Sequence, residues 1–480
     1  MRLSSTQLPQ PLAYDRNTVT PGIVHLGVGA FHRAHMAVYV DRLLSSDPSW
    51  GIIGASLRKP DVRDALAPQD FLYTVGLASA AGVETRIVGS ILRILDAGTQ
   101  RAELLAAMTD PRIRIVSLTV TEKGYCHDPA TGALDPRHPD IVHDLAHPEM
   151  PISAPGLLVR ALELRRDRGL APFTVLSCDN LPANGRTAAR IVVALARLRD
   201  PALADHIAEA VAFPATMVDR IVPATSDADR AEMASLTGVE DAWPIMTEPF
   251  TQWVVEDRFS NGRPDLGAVG VQLVEDAAPF ERMKLRMLNG SHSTLAYLGY
   301  LAGFQHVSEA IANEDLRRLI HAMMTHEIAP TLDLPAAELM VYRDRLLERF
   351  ANPRLRHRTW QIAMDGTQKL PQRLLDTIRD RRRAGLGFER LALGVAGWMR
   401  YVTGVDEQGQ AIDVRDPMAP RLAQIARATA GDPPALAAAL LGIREVFGDL
   451  ADDAAFTATV TRQLALVYDK GALGAVETAA

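Results

Sequence analysis

Cysteine is nearly absent from this chain: Cys126 and Cys178 are the two in 480 residues. That excludes a disulfide framework and a zinc site built largely from thiolates, and it fits a reducing compartment. Long apolar runs are missing too. No stretch approaches the ~18 residues of a spanning helix, and the start, MRLSSTQLPQPLAYDR, has no apolar segment of the length a secretory signal needs. A cytoplasmic protein with no membrane partner is therefore expected. Positive charge is not in excess either: 51 Lys plus Arg against 58 Asp plus Glu leaves a formal net charge of −7. Nothing draws such a chain in bulk to phosphate backbones, so nucleic acid is not an expected partner.

Several catalytic signatures are also lacking. No Tyr is followed four residues later by Lys, which removes the pair used by short-chain dehydrogenases. No G-x-x-x-x-G-K-[ST], H-E-x-x-H or G-x-S-x-G occurs, which argues against P-loop, zincin and α/β-hydrolase chemistry.

What is present is an ordinary globular composition, 48% apolar and 23% charged, with enough length for two large domains. Short apolar, β-branched runs at 22–28 (GIVHLGV), 51–57 (GIIGASL), 113–120 (IRIVSLTV) and 173–178 (FTVLSC) read as buried strands. Helical patterns lie between them, at 100–108 and 157–168, and a helix is expected from about Phe31. Alternating strands and helices predict an α/β domain with a doubly wound parallel sheet. From about residue 279 the texture changes to long periodic segments (281–301, 315–327, 336–350, 391–402, 434–447), which predicts a mainly α-helical second half. The expected domains are 1–275 and 276–480.

Three constellations carry chemistry. The first is HLGVGAFHRAH at 25–35, where the first strand turns into the first helix. Gly27 allows a tight turn, and Gly29 lets the backbone approach a pyrophosphate at the helix N-terminus. His32 occupies the place of the third glycine of G-x-G-x-x-G, and a tight turn alone would also explain the pattern. After the second strand, Asp61 could hold the 2′-hydroxyl of NAD, whereas Arg58 or Lys59 could welcome a 2′-phosphate; the alternative is a solvated charged loop. His32 and His35 share a helix-face spacing compatible with a metal, but their position in the turn favours a structural role.

The second is KLRMLNGSH at 284–292. At about 100° per residue, Asn289 falls roughly 140° and His292 roughly 80° round from Lys284, so one helix sector can present all three. A Lys with a lowered pKa could move a hydroxyl proton, an Asn amide could bind a developing oxyanion, and a His could orient the substrate. Such a sector is equally compatible with solvated surface or a packing network. Glu281 could relay a proton or form a surface ion pair. The third is SCDNLPANG at 177–185, ending a strand, where Asp179 and Asn180 are placed to meet a ligand or, alternatively, to make a turn and helix cap. The stretch TVTEKGY at 119–125 admits the same two readings.

With FPATMVDRIVP, EPFTQWVVED and the sequences above, these motifs resemble the polyol-specific long-chain dehydrogenases, the family of mannitol 2-dehydrogenase and fructuronate reductase. The resemblance runs from about residue 20 to beyond 400. It implies an N-terminal Rossmann-type domain, a largely helical C-terminal domain, a nicotinamide cofactor and no metal. By this resemblance Lys284 is the general acid/base, Asn180 and Asn289 stabilise the substrate oxygen, and His292 holds the substrate. Asp219 and Lys369 line the same pocket. Ala30, Phe31, His32, Arg33 and Thr121 join Gly27 and Gly29 around the cofactor, and Asp61 matches the family's NAD-selecting acid. TWQIAMDGTQKLPQR at 359–373 and GVAGWMRY at 394–401 look like the fructuronate reductase (mannonate oxidoreductase) branch. Gln361 stands where mannitol dehydrogenases are expected to carry Arg. A sugar acid wants a charge-assisted partner, for which Arg373 and Lys369 are candidates, with Arg358 further back. The resulting expectation is an NAD-dependent enzyme interconverting D-fructuronate and D-mannonate. A mannitol 2-dehydrogenase, an enzyme for another polyol or sugar acid such as tagaturonate, and a non-catalytic NAD-binding sensor are the alternatives.

Overall fold

The computed structural model describes residues 1–128 and 131–479. The chain divides into two compact units, Met1–Glu281 and Arg282–Ala480. Strands of the first unit are β1 (Pro21–Leu26), β2 (Gly51–Ser56), β3 (Tyr73–Ser79), β4 (Gly82–Val88), β5 (Ile91–Asp96), β6 (Ile115–Leu118), β7 (Thr174–Ser177), β8 (Thr216–Asp219), β9 (Ile245–Thr247), β10 (Gln252–Glu256) and β11 (Gln272–Val274).

Five of them form a sheet in the order β5-β2-β1-β6-β7, in which every neighbouring pair is parallel. Both faces are covered, which is why these strands read as continuous apolar runs rather than alternating ones. Val24, Leu26, Val116 and Leu118 pack on one side with Leu157, Leu158 and Ile191. Ile23, Ile52 and Ile115 pack on the other with Tyr39, Val40 and Trp253. The chain runs outward from β1 through β2 to one edge, then resumes at β6 on β1's other side. The order therefore reverses between β1 and β6, and a doubly wound sheet binds its ligand at the carboxyl ends of the strands beside such a switch.

Two smaller sheets, β11-β10-β8 and β4-β3-β9, complete the unit. The β3–β4 pair is a hairpin with Ser79 opposite Gly82. The helix expected from Phe31 is one short piece, Ala30–Ala34, interrupted at His35 (φ −118°, ψ −91°) and resumed as Met36–Leu43.

The second unit is helical, with no strand among its described residues beyond isolated bridges. The helix Ser291–Leu301 is buried along its length apart from Tyr300 and packs on Glu389–Tyr401, which in turn packs on Ala454–Ala479. That last helix is kinked at Gly471 (φ 72°). The segment expected as one helix over 434–447 is two, Pro433–Leu441 and Arg444–Phe447, parted at Gly442. Among the described residues, three stretches are wound as π-helix: Lys284–Gly290, Met323–Ile328 and Pro371–Leu375. No described helix is long and apolar enough to cross a membrane.

Candidate active site

In the first unit, a cleft of about 430 Å³ opens at the switch point, lined by Gly27 and Gly29 after β1, Ser56 at the end of β2 with Arg58 and Lys59 after it, and Thr119, Val120 and Gly124 after β6. Gly27 is required by its backbone: φ is +94°, and a Cβ there would sit 2.2 Å from the Thr119 carbonyl oxygen. A Cβ at Gly29 would meet only the Gly27 carbonyl oxygen, at an ordinary 3.9 Å, and as glycine the residue brings main chain to the cleft without side-chain obstruction. A glycine-walled floor with two cations at the rim suits a pyrophosphate-bearing ligand. Gly27→Ala should weaken dinucleotide binding by about tenfold or more, since it adds a steric clash to a left-handed conformation. An NADH fluorescence titration checks this, and affinity equal to wild type would contradict the assignment of the cleft.

Several neighbouring residues do other work than the sequence suggested. His32 is fully buried, and its ring stacks on that of His25 at 3.4 Å between centroids. Burial holds both rings neutral, with His25 pushed down to about 3. His25 bonds Ser117 Oγ and Thr119 Oγ1, tying β1 to β6 beneath Gly27. Arg33 points inward: its guanidinium donates to the Trp243 carbonyl at 2.6 Å, so it cannot also hold a phosphate in the cleft. His35 bonds the Gln252 carbonyl through Nε2, a structural contact and not a metal ligation. Ala30 is exposed and Phe31 half-buried, and neither lines the cleft. Asp61 heads the helix Asp61–Leu66, facing solvent. It does not line the cleft either, whereas Arg58 and Lys59 do.

Asp179, for which the sequence left a ligand contact or a turn and cap open, is a buried clamp. Its carboxylate accepts from the Val120 and Thr121 N–H groups and from the Tyr125 hydroxyl. This fixes Thr121 at φ +64°, a strained conformation of the sort found where a loop must be aimed. Asn180, next in sequence, is exposed. Asn184, not singled out from sequence, donates to Asp179 O and Thr216 O and accepts from Thr216 N–H, joining the β7 and β8 ends. Asp219 closes β8 and is buried. Both Glu281 carboxylate oxygens lie 3.1 Å from the Ala183 N–H, so Glu281 anchors the loop after β7.

In the second unit, Lys284, Asn289 and Gly290 belong to the π-helical stretch Lys284–Gly290. Its i→i+5 pattern puts Asn289 one bond above Lys284, closer than the 140° expected of an α-helix; π-turns are rare and concentrate at functional sites. Lys284 and Asn289 are half-buried. Gly290 permits close approach of the π-stretch Pro371–Leu375, because a Cβ there would lie 2.7 Å from the Arg373 carbonyl oxygen. His292 is buried between Phe350 (ring centroids 4.5 Å) and His357 (5.1 Å, edge-on).

Around these rings positive charge accumulates. Arg373 Nη1 donates to Ser293 Oγ at 3.1 Å, while its buried Nε has no partner. Among the described residues, no carboxylate is paired with it. Lys369 Nζ donates to the Met364 carbonyl at 2.6 Å and lies 3.7 Å from Asp365. Burial, then repulsion by Arg373, lowers the Lys369 pKa. Burial with the nearby Arg373 and Lys369 charges pushes His357 down to about 4, and burial with His357, Arg373 and Arg349 lowers His292. Both histidines are thus neutral hydrogen-bonding groups at neutral pH, in a cluster where Arg373 has no paired carboxylate among the described residues. Ser293 and His357 carried no sequence signal, since only folding gathers them round Arg373.

The depressed His357 value has a stability consequence. Above pH about 6.5 the group is neutral whether the chain is folded or not; below that, the unfolded chain takes up a proton that the folded one refuses until about pH 4. Stability is therefore lost as pH falls from about 6.5 to 4. Thermal midpoints across that window should fall less steeply for His357→Gln than for the wild type; parallel curves would contradict the neutral, buried assignment.

Comparison with known proteins places this geometry. Residues 21–268 match the mannitol dehydrogenase Rossmann domain, and residues 276–468 match the mannitol dehydrogenase C-terminal domain. The chain belongs to the mannitol dehydrogenase family. Within that family it is 49% identical over 477 residues to the uncharacterised oxidoreductase YeiQ of Escherichia coli (strain K12), covering 98% of this chain and 97% of the relative. It is 50% identical over 467 residues to the D-mannonate oxidoreductase of the same organism, covering 96% of each. A solved Pseudomonas fluorescens mannitol 2-dehydrogenase, in ternary complex with NAD and D-mannitol, superposes with a TM-score of 0.86 at 38% identity, over 100% of this chain and 99% of that one. As a member of the mannitol dehydrogenase family, the chain is an oxidoreductase whose parallel sheet is its Rossmann domain.

Proposed function

We propose that this protein interconverts D-fructuronate and D-mannonate with NAD as the hydride carrier. One observation carries the choice of a sugar acid over a neutral polyol: Arg373 is a desolvated guanidinium held by a single hydroxyl, with Lys369 as a second cation of the same cluster. A buried charge left unpaired is costly, and a substrate carboxylate supplies the missing partner. The 50% identity to a D-mannonate oxidoreductase supports the same reading.

NAD, when bound, supplies the hydride acceptor for oxidation and, as NADH, the donor for reduction. The glycine turn at Gly27 and Gly29 leaves main chain exposed to a dinucleotide, and Arg58 and Lys59 offer it charge. In reduction, Lys284 gives a proton to the substrate oxygen, and in oxidation it removes one from the hydroxyl. Asn289, one π-bond away, donates its amide to that oxygen. Neutral His292 orients a substrate hydroxyl, and Arg373 and Lys369 fix the carboxylate. Asn180 and Asp219 belong to this assignment by resemblance, as the second amide to the oxygen and a pocket residue. Glu281 is left an anchoring role, since its two oxygens already receive the Ala183 N–H.

Calorimetry on the NAD-loaded protein tests the substrate class. D-mannonate should bind about tenfold or more tightly than D-mannitol, as a charge-assisted pair is worth about 1.5–3 kcal/mol. Equal affinities would favour a polyol substrate.

A further inference from the structure

At one edge of the dinucleotide cleft stands a group of metal-ligating side chains that the proposed reaction does not use. The chain leaves the short turn Glu122–Tyr125 at Cys126, whose φ is +52°. The Cys126 carbonyl accepts the Asp135 N–H at 3.0 Å, and the Asp135 carbonyl accepts the His138 N–H at 3.1 Å. His138 in turn caps the helix Pro139–Ala146, its Nδ1 accepting the Asp140 N–H. This described backbone brings the Cys126 thiol, a His138 ring nitrogen and an Asp140 carboxylate oxygen within 4.8 Å of one another. Cys126 is buried, while His138 and Asp140 are partly exposed, so the group has a route to solvent. Asp140 also lines the cleft and lies 3.9 Å from Arg58, itself a cleft residue.

We propose that Cys126, His138 and Asp140 bind a thiophilic divalent cation, Zn²⁺ by ligand type, and that the occupied site tightens dinucleotide binding. Sulfur, imidazole and carboxylate with a fourth position open to water is a tetrahedral zinc donor set. Metal bonds of 2.0–2.3 Å put such ligands about 3.3–3.8 Å apart, so side-chain rotation within the present cluster closes the site. The thiol proton passes to solvent as the sulfur–metal bond forms. The coupling follows from charge: the cation neutralises a carboxylate that faces the cleft and releases Arg58 from it, both of which favour a bound pyrophosphate. The site takes no part in hydride or proton transfer. Its second half rests on the reading of the cleft as a dinucleotide site.

The test uses Co²⁺ as the probe on the full-length, metal-free protein. One equivalent should produce a thiolate-to-cobalt charge-transfer band that Zn²⁺ abolishes by displacement. The band should be missing from Cys126→Ser, and in Asp140→Asn it should need about tenfold more Co²⁺; circular dichroism checks that each variant is folded. NADH should bind about fivefold more tightly with Zn²⁺ than without, and equally in both conditions to Cys126→Ser. Absence of the band, or its persistence in Cys126→Ser, would overturn the metal site. Unchanged NADH affinity on adding Zn²⁺ would overturn the coupling. If the metal-free protein binds no NADH at all, the dinucleotide reading fails while the cobalt spectrum still decides the metal site.

Discussion

Substituting Lys284 by Ala should lower kcat for D-fructuronate reduction by about 10²–10⁴-fold, the usual worth of a positioned general acid/base, while NADH affinity stays within about twofold. The split matters because the cleft residues that would meet the dinucleotide all lie in the first unit, whereas Lys284 opens the π-stretch Lys284–Gly290 of the second. Lys284→Arg should not rescue turnover: a guanidinium remains protonated at working pH and cannot complete the cycle of donation and uptake. Loss of turnover in Lys284→Ala of less than about threefold would remove Lys284 from the chemistry. Equal loss of NADH binding would instead point to a folding defect.

The second large effect is expected at Arg373. Removing one partner of a buried, hydrogen-bonded charge pair costs about 2–5 kcal/mol, so Arg373→Met should raise the KM for D-fructuronate by about 30-fold or more and leave that for D-fructose within about threefold. The same variant should melt at a temperature equal to or above the wild type in the absence of substrate. Arg373 is desolvated and, among the described residues, held by the Ser293 hydroxyl, and an apolar side chain in place of a buried charge without a counter-ion is neutral or stabilising. Raised KM with retained stability is the signature of a site residue whose cost is met only when ligand arrives. Equal changes for acid and ketose, or a large fall in melting temperature, would mark Arg373 as a packing residue.

Much of the fold was legible because one physical rule dominated. β1, β2, β6 and β7 are buried on both faces, so their sequences are apolar runs; β2, β6 and β7 fall within the runs at 51–57, 113–120 and 173–178, and β1 begins one residue before the run at 22–28. The hairpin β3–β4 escaped notice because Ser79 and Gly82 are joined by Ala80-Ala81, without the Asn-Gly or Asp-Gly pair that announces a tight turn. π-winding at Lys284–Gly290 is invisible to a 100° periodicity count, which spaced Asn289 too far from Lys284.

The site was legible in its residue types more than in their directions. GxG identified the turn, but nothing in AFHRAH distinguishes a side chain facing the cleft from one facing the core. His32 and Arg33 turn inward because His25 and the Trp243 carbonyl, the latter far along the chain, offer them partners. Asp179 and Asn180 are adjacent in sequence and opposite in fate: one is a buried clamp, the other exposed. Arg373 looked like one cation among many until folding left it beside His292, His357 and Lys369 with no paired carboxylate among the described residues. Its meaning lies in the lack of a counter-charge, which only tertiary structure reveals.

The most direct test is NADH oxidation by the purified protein with D-fructuronate and D-fructose in parallel. The account predicts kcat/KM at least about 30-fold higher for D-fructuronate, a preference that shrinks in Arg373→Met. A preference for D-fructose, or no preference, would contradict it and would mean that Arg373 and Lys369 serve the fold and not a substrate carboxylate.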